Sequence, residues 1–335
     1  MTEHQGLLKM QAEMARQCPN ALETLDRNRE AAALAAASIR STGAVALVAM
    51  GGSHHVNTIV APLYRSLGID ARAWVGSELL SAPLPTASRS VLIASQSGRS
   101  GEIVELLATP AGQDERFALT LDGESPLAQA CRAVLVADGG PEQAFAATRS
   151  ITLTLAMHGA ILAELGIDTV PLRRAFETDV TPPIDAADAA LTGCDAVIFA
   201  GYGVMAGVAA SGALSMMELA RVPTIGFEGG QFRHGPFEVL RPGLGIVLFR
   251  PAGQDGALVA GLAAASVEAG CRVIVLDASC ESVLTNTTTV MLPKAQGLAA
   301  AAAMLLALQP LNIAVARRTA TGDVGTPVRT SKVTV

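Results

Sequence analysis

Apolar positions along this chain follow two rhythms. Short unbroken runs of Val, Ile, Leu and Ala end in glycine or hydroxyl residues, and longer stretches with helical spacing lie between them. In the first half the runs are Ala44–Met50, Ser90–Ala94, Arg116–Asp122 and Val134–Val136. In the second half they are Ala196–Ala200, Gly245–Phe249, Arg272–Asp277 and Val290–Leu292. Runs without polar alternation are the mark of strands buried on both faces, as in parallel sheets covered by helices. Each half then closes on a long apolar helix candidate, near Phe145–Leu165 and near Gly297–Arg317.

The repeated order predicts an α/β protein of two tandem, doubly wound parallel-sheet domains of the flavodoxin or Rossmann kind, preceded by a helical region. The boundaries read as a helical region over 1–40, a first domain over 41–168, a linker over 169–192, a second domain over 193–317 and a tail over 318–335. Cys18-Pro19-Asn20 interrupts the leading helical region, whose simplest role is to pack across the domains; Asp179-Val-Thr-Pro-Pro183 breaks any helix in the linker.

Composition narrows the function. The 335 residues are half hydrophobic, poor in aromatics and carry a formal charge of −6, with no basic run. That balance argues against nucleic acid as a partner. The apolar stretch Ala299–Leu308 ends at Gln309-Pro310 and is too short to span a membrane, and the N-terminus lacks the pattern of a signal peptide. Five scattered cysteines without CxxC spacing read as reduced, mostly buried thiols of a cytoplasmic protein. The histidines form no metal-binding spacing, so no metal is expected.

The densest chemistry is Ser95-Gln96-Ser97-Gly98-Arg99-Ser100-Gly101-Glu102, between a strand and the helical segment Ile103–Leu107. The first N–H groups of a helix have no internal partner and sit at the positive end of its dipole. Ser95, Gln96, Ser97 and Ser100 add side-chain donors, and Gly98 and Gly101 let an anion approach the backbone. The sum is a phosphate cradle that needs little formal charge. An N-capped helix after a buried strand is the plainer account, but it needs fewer hydroxyls and glycines. The matching place in the second half is Arg250-Pro-Ala-Gly253, so one phosphate site per chain is expected. In the second half, Glu218 is an ionisable acid in an apolar helical stretch. It fits either a partly buried base of raised pKa or a narrow polar edge. Taken alone, His234, in a loop with Gly235 and Pro236, reads as structural.

Several motifs together resemble the double sugar isomerase (SIS) domain family. They are Gly51-Gly52-Ser53 after the first strand, Ser95-Gln96-Ser97-Gly98, the stretch Gly140–Ser150 with its Ala-Thr-Arg-Ser end, Arg233-His-Gly-Pro236, and the terminal Lys332-Val-Thr-Val335. The family includes the isomerase half of glucosamine-6-phosphate synthase and stand-alone amino-sugar-phosphate deaminases. The resemblance runs from about Asn20 to the end of the chain. It implies two SIS domains and a sugar phosphate held by Ser53, Ser95, Gln96, Ser97 and Ser100, with Gly51, Gly52 and Ala147 beside it. It also implies Glu218 as general base, His234 as the ring-opening group and Lys332 as a tail residue reaching the sugar. The family's histidine comes from a neighbouring subunit, which implies a homodimer with shared active sites; no cofactor is implied.

Three departures point to a sugar or a reaction different from the synthase's. Gly52 stands where the synthase has threonine, Ala147 where it has serine, and Gln231 where it has glutamate. The synthase's tail lysine corresponds to Ser331 rather than Lys332. No glutaminase domain accompanies the repeat, so glutamine-dependent amination is not expected. The expected activity is isomerisation of an amino hexose 6-phosphate with release of ammonia, or aldose–ketose isomerisation without it. Two other readings stand beside these. Gly201-Tyr-Gly203-Val-Met-Ala206 with Glu228 fits a dinucleotide-binding turn, and SIS units also serve as phosphosugar sensors without catalysis.

Overall fold

The structure, a computed structural model, describes residues 5–85, 87–110, 112–178 and 182–330. The chain divides into two compact units. The first comprises Lys9–Glu177 with Pro327–Val335, and the second Thr178–Thr326 with Met1–Leu8.

Up to the end of the first unit the elements run α1 (Gln5–Arg27), α2 (Arg29–Thr42), β1 (Ala44–Ala49), α3 (Gly51–Ser66), β2 (Asp70–Val75), α4 (Gly76–Ser81), β3 (Ser90–Ala94), α5 (Gly101–Ala108), β4 (Glu115–Thr120), α6 (Pro126–Gln129), β5 (Ala133–Val136), α7 (Arg149–Glu164) and α8 (Val170–Glu177). The five strands are parallel in the order β2-β1-β3-β4-β5. Every residue of β3 is buried, as its unbroken apolar run requires.

The second unit continues with α9 (Asp185–Ala190), β6 (Ala196–Gly201), α10 (Val204–Ala220), β7 (Thr224–Glu228), α11 (Gly229–Arg233), a 3-10 turn (Pro236–Val239), β8 (Leu244–Pro251), α12 (Gln254–Glu268), β9 (Arg272–Ala278), β10 (Thr288–Met291) and α13 (Gly297–Thr319). Its parallel sheet has the order β10-β9-β8-β6-β7, the same topology as the first. Two tandem doubly wound domains are therefore what the sequence folds into. β2 and β7 do not stand out among the unbroken apolar runs of the sequence; both are sheet-edge strands and only partly buried.

Three expectations are corrected. α1 is not interrupted at Pro19 but runs through it, and the break comes at Asn28. Proline forfeits one helical hydrogen bond, but side chains on both sides of it are anchored. Glu13 pairs with Arg149, Asn20 donates to Asp138 at 2.7 Å, and the Asp138 N–H donates to Thr24. The last helix runs through Pro310, as its expected span near Gly297–Arg317 has it, but its apolar stretch is longer than Ala299–Leu308. α13 is 23 residues long and by length and composition could cross a membrane, yet 78% of its apolar window is buried. Leu298, Met304, Leu308 and Leu311 lie in the core of the second unit, and Asn312 donates to the Gly212 carbonyl of α10. Among the cysteines, four are half-buried and Cys280 is exposed, so none is a fully buried thiol.

Sheet topology fixes where a ligand site can lie. In open parallel sheets the crevice forms beyond the carboxyl ends of the strands where the order reverses. In the first unit the reversal falls between β1 and β3, whose register pairs Ala49 with Ala94. The residues that follow those two strands are Gly51–Ser53 and Ser95–Ser100.

Candidate functional site

The turn after β3 is built by its own backbone. Gly98 adopts φ +61°, and its N–H donates to the Ser95 carbonyl at 3.1 Å. A Cβ at Gly98 would run into the Ser125 side chain, so this position requires glycine for both conformation and space. Ser100 is the N-cap of α5 in extended conformation, but its hydroxyl makes no capping bond. It lies instead 3.3 Å from the Ser95 hydroxyl. Ser97 Oγ accepts the Arg99 N–H at 3.2 Å. The Arg99 guanidinium is turned to Asp122 at 3.1 Å, so the one cation of the turn is already paired. What remains is a cluster of hydroxyls and helix-terminal N–H groups, the chemistry of an anion cradle of little net charge.

Gly51 and Gly52 open α3, with Gly51 at φ +51°. Ser53 is half-buried and its hydroxyl has no hydrogen-bond partner among the described residues. A Cβ on Gly52 would stand 2.7 Å from Ile151 Cδ1 and 3.9 Å from Ala147 Cβ. The Ile151 side chain of α7 thus occupies the space above Gly52, and the structure brings Gly52 and Ala147 together on one apolar wall.

A third helix end joins the group. Glu142 accepts from the Thr148 N–H at 3.0 Å, the Thr148 hydroxyl at 3.1 Å and the Ser150 N–H at 3.3 Å, all at the start of α7. Its other oxygen lies 2.5 Å from Ser150 Oγ, which in turn is 3.2 Å from the Gln96 carboxamide. Sequence reasoning matched this stretch as a motif but gave Glu142, Arg149 and Ser150 no roles. The signal lay in a glutamate spaced to reach back to a Thr-Arg-Ser helix start.

Arg149 is fully buried. It pairs with Glu13 at 2.6 Å and donates to the carbonyls of Asp138 and Gly140 at 2.9 and 2.7 Å. Burial pushes the Glu13 carboxyl up, but the Gln143 N–H and the Arg149 and Arg16 guanidiniums outweigh it and hold the group below its usual range. Behind α3, Tyr64 is 3.1 Å from His158 Nδ1, and His158 Nε2 is 3.0 Å from Asn57 Oδ1, all fully buried. Burial lowers the His158 pKa to about 3, so the ring is neutral. It then receives the tyrosine proton and donates its own to Asn57. His54 and His55, next to Ser53, are also shifted down by burial, His55 to about 4.

In the second unit Glu218 lies half-buried in the last turn of α10, between exposed Met217 and buried Leu219. His234 is exposed and follows α11, its N–H donating to the Gln231 carbonyl at 3.1 Å. Glu228 caps α11 by accepting the Gln231 N–H at 2.8 Å. Lys332 lies outside the described residues. At the place matching the cradle, buried Arg250 is spent on Asp277 at 2.9 Å and Glu281 at 2.7 Å. The glycine turn at Gly201–Gly203 is closed off as well: the Asp255 carboxylate packs on Gly203, and Met205 on Gly201. A carboxylate there repels a pyrophosphate, which counts against dinucleotide binding.

No family model matches the chain. In sequence it is similar to the glutamine–fructose-6-phosphate aminotransferase (isomerizing) of Mycobacterium tuberculosis, 28% identical over 193 residues that cover 52% of this chain and 31% of that protein. The match thus spans about a third of the length of such curated relatives. The tagatose-6-phosphate ketose/aldose isomerase of Escherichia coli has the same fold, with a TM-score of 0.81 at 20% identity over 96% of this chain and 97% of that one. So does the glucosamine-6-phosphate deaminase of Thermotoga maritima, with a TM-score of 0.75 at 18% identity over 97% and 99%. The fold is thus one that phosphosugar isomerases have, and the sequence similarity is to a part of the aminotransferases.

Proposed function

We propose that the chain is a phosphosugar isomerase that acts on an amino hexose 6-phosphate and releases ammonia. The observation that carries the reading is the uncharged cradle of Ser95, Ser97, Ser100 and the α5 N-terminus at the strand-order reversal of the first sheet. The similarity to an isomerising aminotransferase and the shared fold with a deaminase support the same reaction class.

The phosphate supplies binding energy remote from the reacting carbons and orients them. His234 assists ring opening. Glu218 takes the proton from C2 and returns it to C1 through an enol-type intermediate. In an amino sugar the product of that shift is an imine at C2, which water hydrolyses to the ketose phosphate and ammonia. The roles of Glu218 and His234 rest on the family resemblance, as does the homodimer with shared sites. Proton transfer of this kind proceeds through side chains without an organic cofactor.

The test is a thermal-shift panel of hexose and hexosamine 6-phosphates, followed by ammonia and ketose assays on the hits. Stabilisation by a hexosamine 6-phosphate with equimolar ammonia and ketose phosphate is the expected result. Ketose formation from a hexose phosphate without ammonia would move the reading to plain aldose–ketose isomerisation. Binding without turnover would make the chain a sensor, and no binding would end the reading.

A further inference from the structure

The Ser150 hydroxyl carries one proton and faces two groups. Glu142 Oε2 is 2.5 Å away, and the carboxamide of Gln96 is placed with its Oε1 3.2 Å away. A carboxylate only accepts, and three donors already point at the other oxygen of Glu142. The Ser150 proton therefore belongs to Glu142, where the bond is short and charge-assisted. With its oxygen toward Ser150, Gln96 would set one acceptor against another that has no proton left to give. The two ends of a carboxamide have the same shape, and hydrogen bonding decides which way it turns. Here the NH2 end must face Ser150. The opposite end of Gln96 has no partner among the described residues and is not among the buried unpartnered atoms, so it is open to a ligand.

We propose that the Glu142–Ser150 pair turns Gln96 so that its carbonyl oxygen faces the cradle, and that the site selects phosphate monoesters with a hydrogen-bond donor, a hydroxyl or ammonium, beside the phosphate. The inference rests on the phosphate-cradle reading of the same turn and deepens it. Around the cradle the helix N–H groups and the hydroxyls can donate to an anion, whereas a Gln96 carbonyl oxygen can only accept, and an acceptor gains nothing from a bare phosphate dianion. A polyhydroxylated or amino ester supplies the matching proton.

Calorimetry with inorganic phosphate, n-propyl phosphate and glycerol 3-phosphate tests this on the full chain. The unmodified protein is expected to bind glycerol 3-phosphate about three- to tenfold more tightly than propyl phosphate, the worth of one neutral hydrogen bond. Glu142→Gln is the decisive variant. Its oxygen stays with the three donors, so its NH2 donates to Ser150. The Ser150 proton then swings to Gln96, and the Gln96 NH2 faces the cradle. The preference for glycerol 3-phosphate should fall to within about twofold while propyl phosphate and inorganic phosphate bind more tightly, since each gains one donor. Should Glu142→Gln fail to give a cooperative melt, Ser150→Ala removes the same constraint and should likewise erase the preference. An unmodified protein that binds the two esters equally, or a variant that keeps the preference intact, overturns the proposal. If none of the three ligands binds, the cradle reading itself falls and this inference with it.

Discussion

Because Ser97 Oγ accepts the Arg99 N–H, its own proton is left to point at a ligand. That makes Ser97 a donor held in place by the turn. Ser97→Ala is expected to keep the fold and to weaken binding of the phosphosugar found in the panel by about tenfold to a hundredfold, as loss of a hydrogen bond to a charged group does. Calorimetry reads this directly, and unchanged affinity removes Ser97 from the site. Arg149 belongs to the opposite case, a residue whose worth lies in what its loss leaves behind. Arg149→Ala leaves Glu13, which is 2% exposed, with Arg16 as its one cation and takes donors from two carbonyls. The expected cost is about 2–4 kcal/mol in urea unfolding, because two buried carbonyls lose their donor and a buried carboxylate loses one of its two cations. Replacing both partners, Glu13→Leu with Arg149→Met, should recover the part owed to the buried carboxylate, though not the two carbonyl bonds; a double variant no better than the single one would contradict this account.

Helices α3 and α7 are joined by the buried Tyr64–His158–Asn57 chain, and this gives the pair a pH dependence. His158 is neutral in the folded protein, with a pKa near 3, against about 6.5 in an unfolded chain. A group depressed on folding binds more protons when unfolded, so its contribution is intact above about pH 6.5 and is lost as pH falls toward 3. Between pH 7.5 and 5.5 this amounts to about 1.4 kcal/mol for one histidine. Denaturant unfolding of the protein and of His158→Gln at both pH values should show a loss smaller in the variant by about that amount. Equal losses would mean the ring is charged or exposed in the fold. The same helices show what could be read at this scale. The long apolar stretches announced α7 and α13, and unbroken Val/Ile/Leu runs announced the central strands, since burial on both faces leaves no choice of residue. Pro19 misled because a proline forfeits one local bond while distant partners hold the helix on both sides. Such partners, Asp138 for Asn20 and Gly212 for Asn312, are invisible to a local reading.

Across the whole chain the repeat of elements was legible because both halves obey one strand order, and the asymmetry in chemistry was legible because hydroxyls and glycines stand in one half and Arg250 in the other. The Glu142–Ser150–Gln96 chain was not, since it depends on which atoms face each other across a turn. The roles of Glu218 and His234 belong to this largest scale, because the resemblance gives the histidine to a neighbouring subunit. His234 is exposed at the end of α11, a position from which a side chain can serve another copy of the chain. Glu218→Gln keeps size and hydrogen bonding but cannot take a carbon-bound proton, and should lower turnover by about 10²- to 10⁴-fold while leaving phosphosugar binding in place. His234→Ala should be similarly impaired in ring opening. In a two-fold dimer that shares its sites, a hybrid of the two variants holds one site with both groups lost and one with both intact. Random exchange makes about half of the dimers hybrids, so a mixture should regain about a quarter of the unmodified activity. Subunit exchange followed by native mass spectrometry establishes that hybrids have formed, and the isomerase assay reads their activity. Hybrids that form and stay inactive would place His234 and Glu218 in the same subunit's site or outside it, and the shared-site proposal would fall.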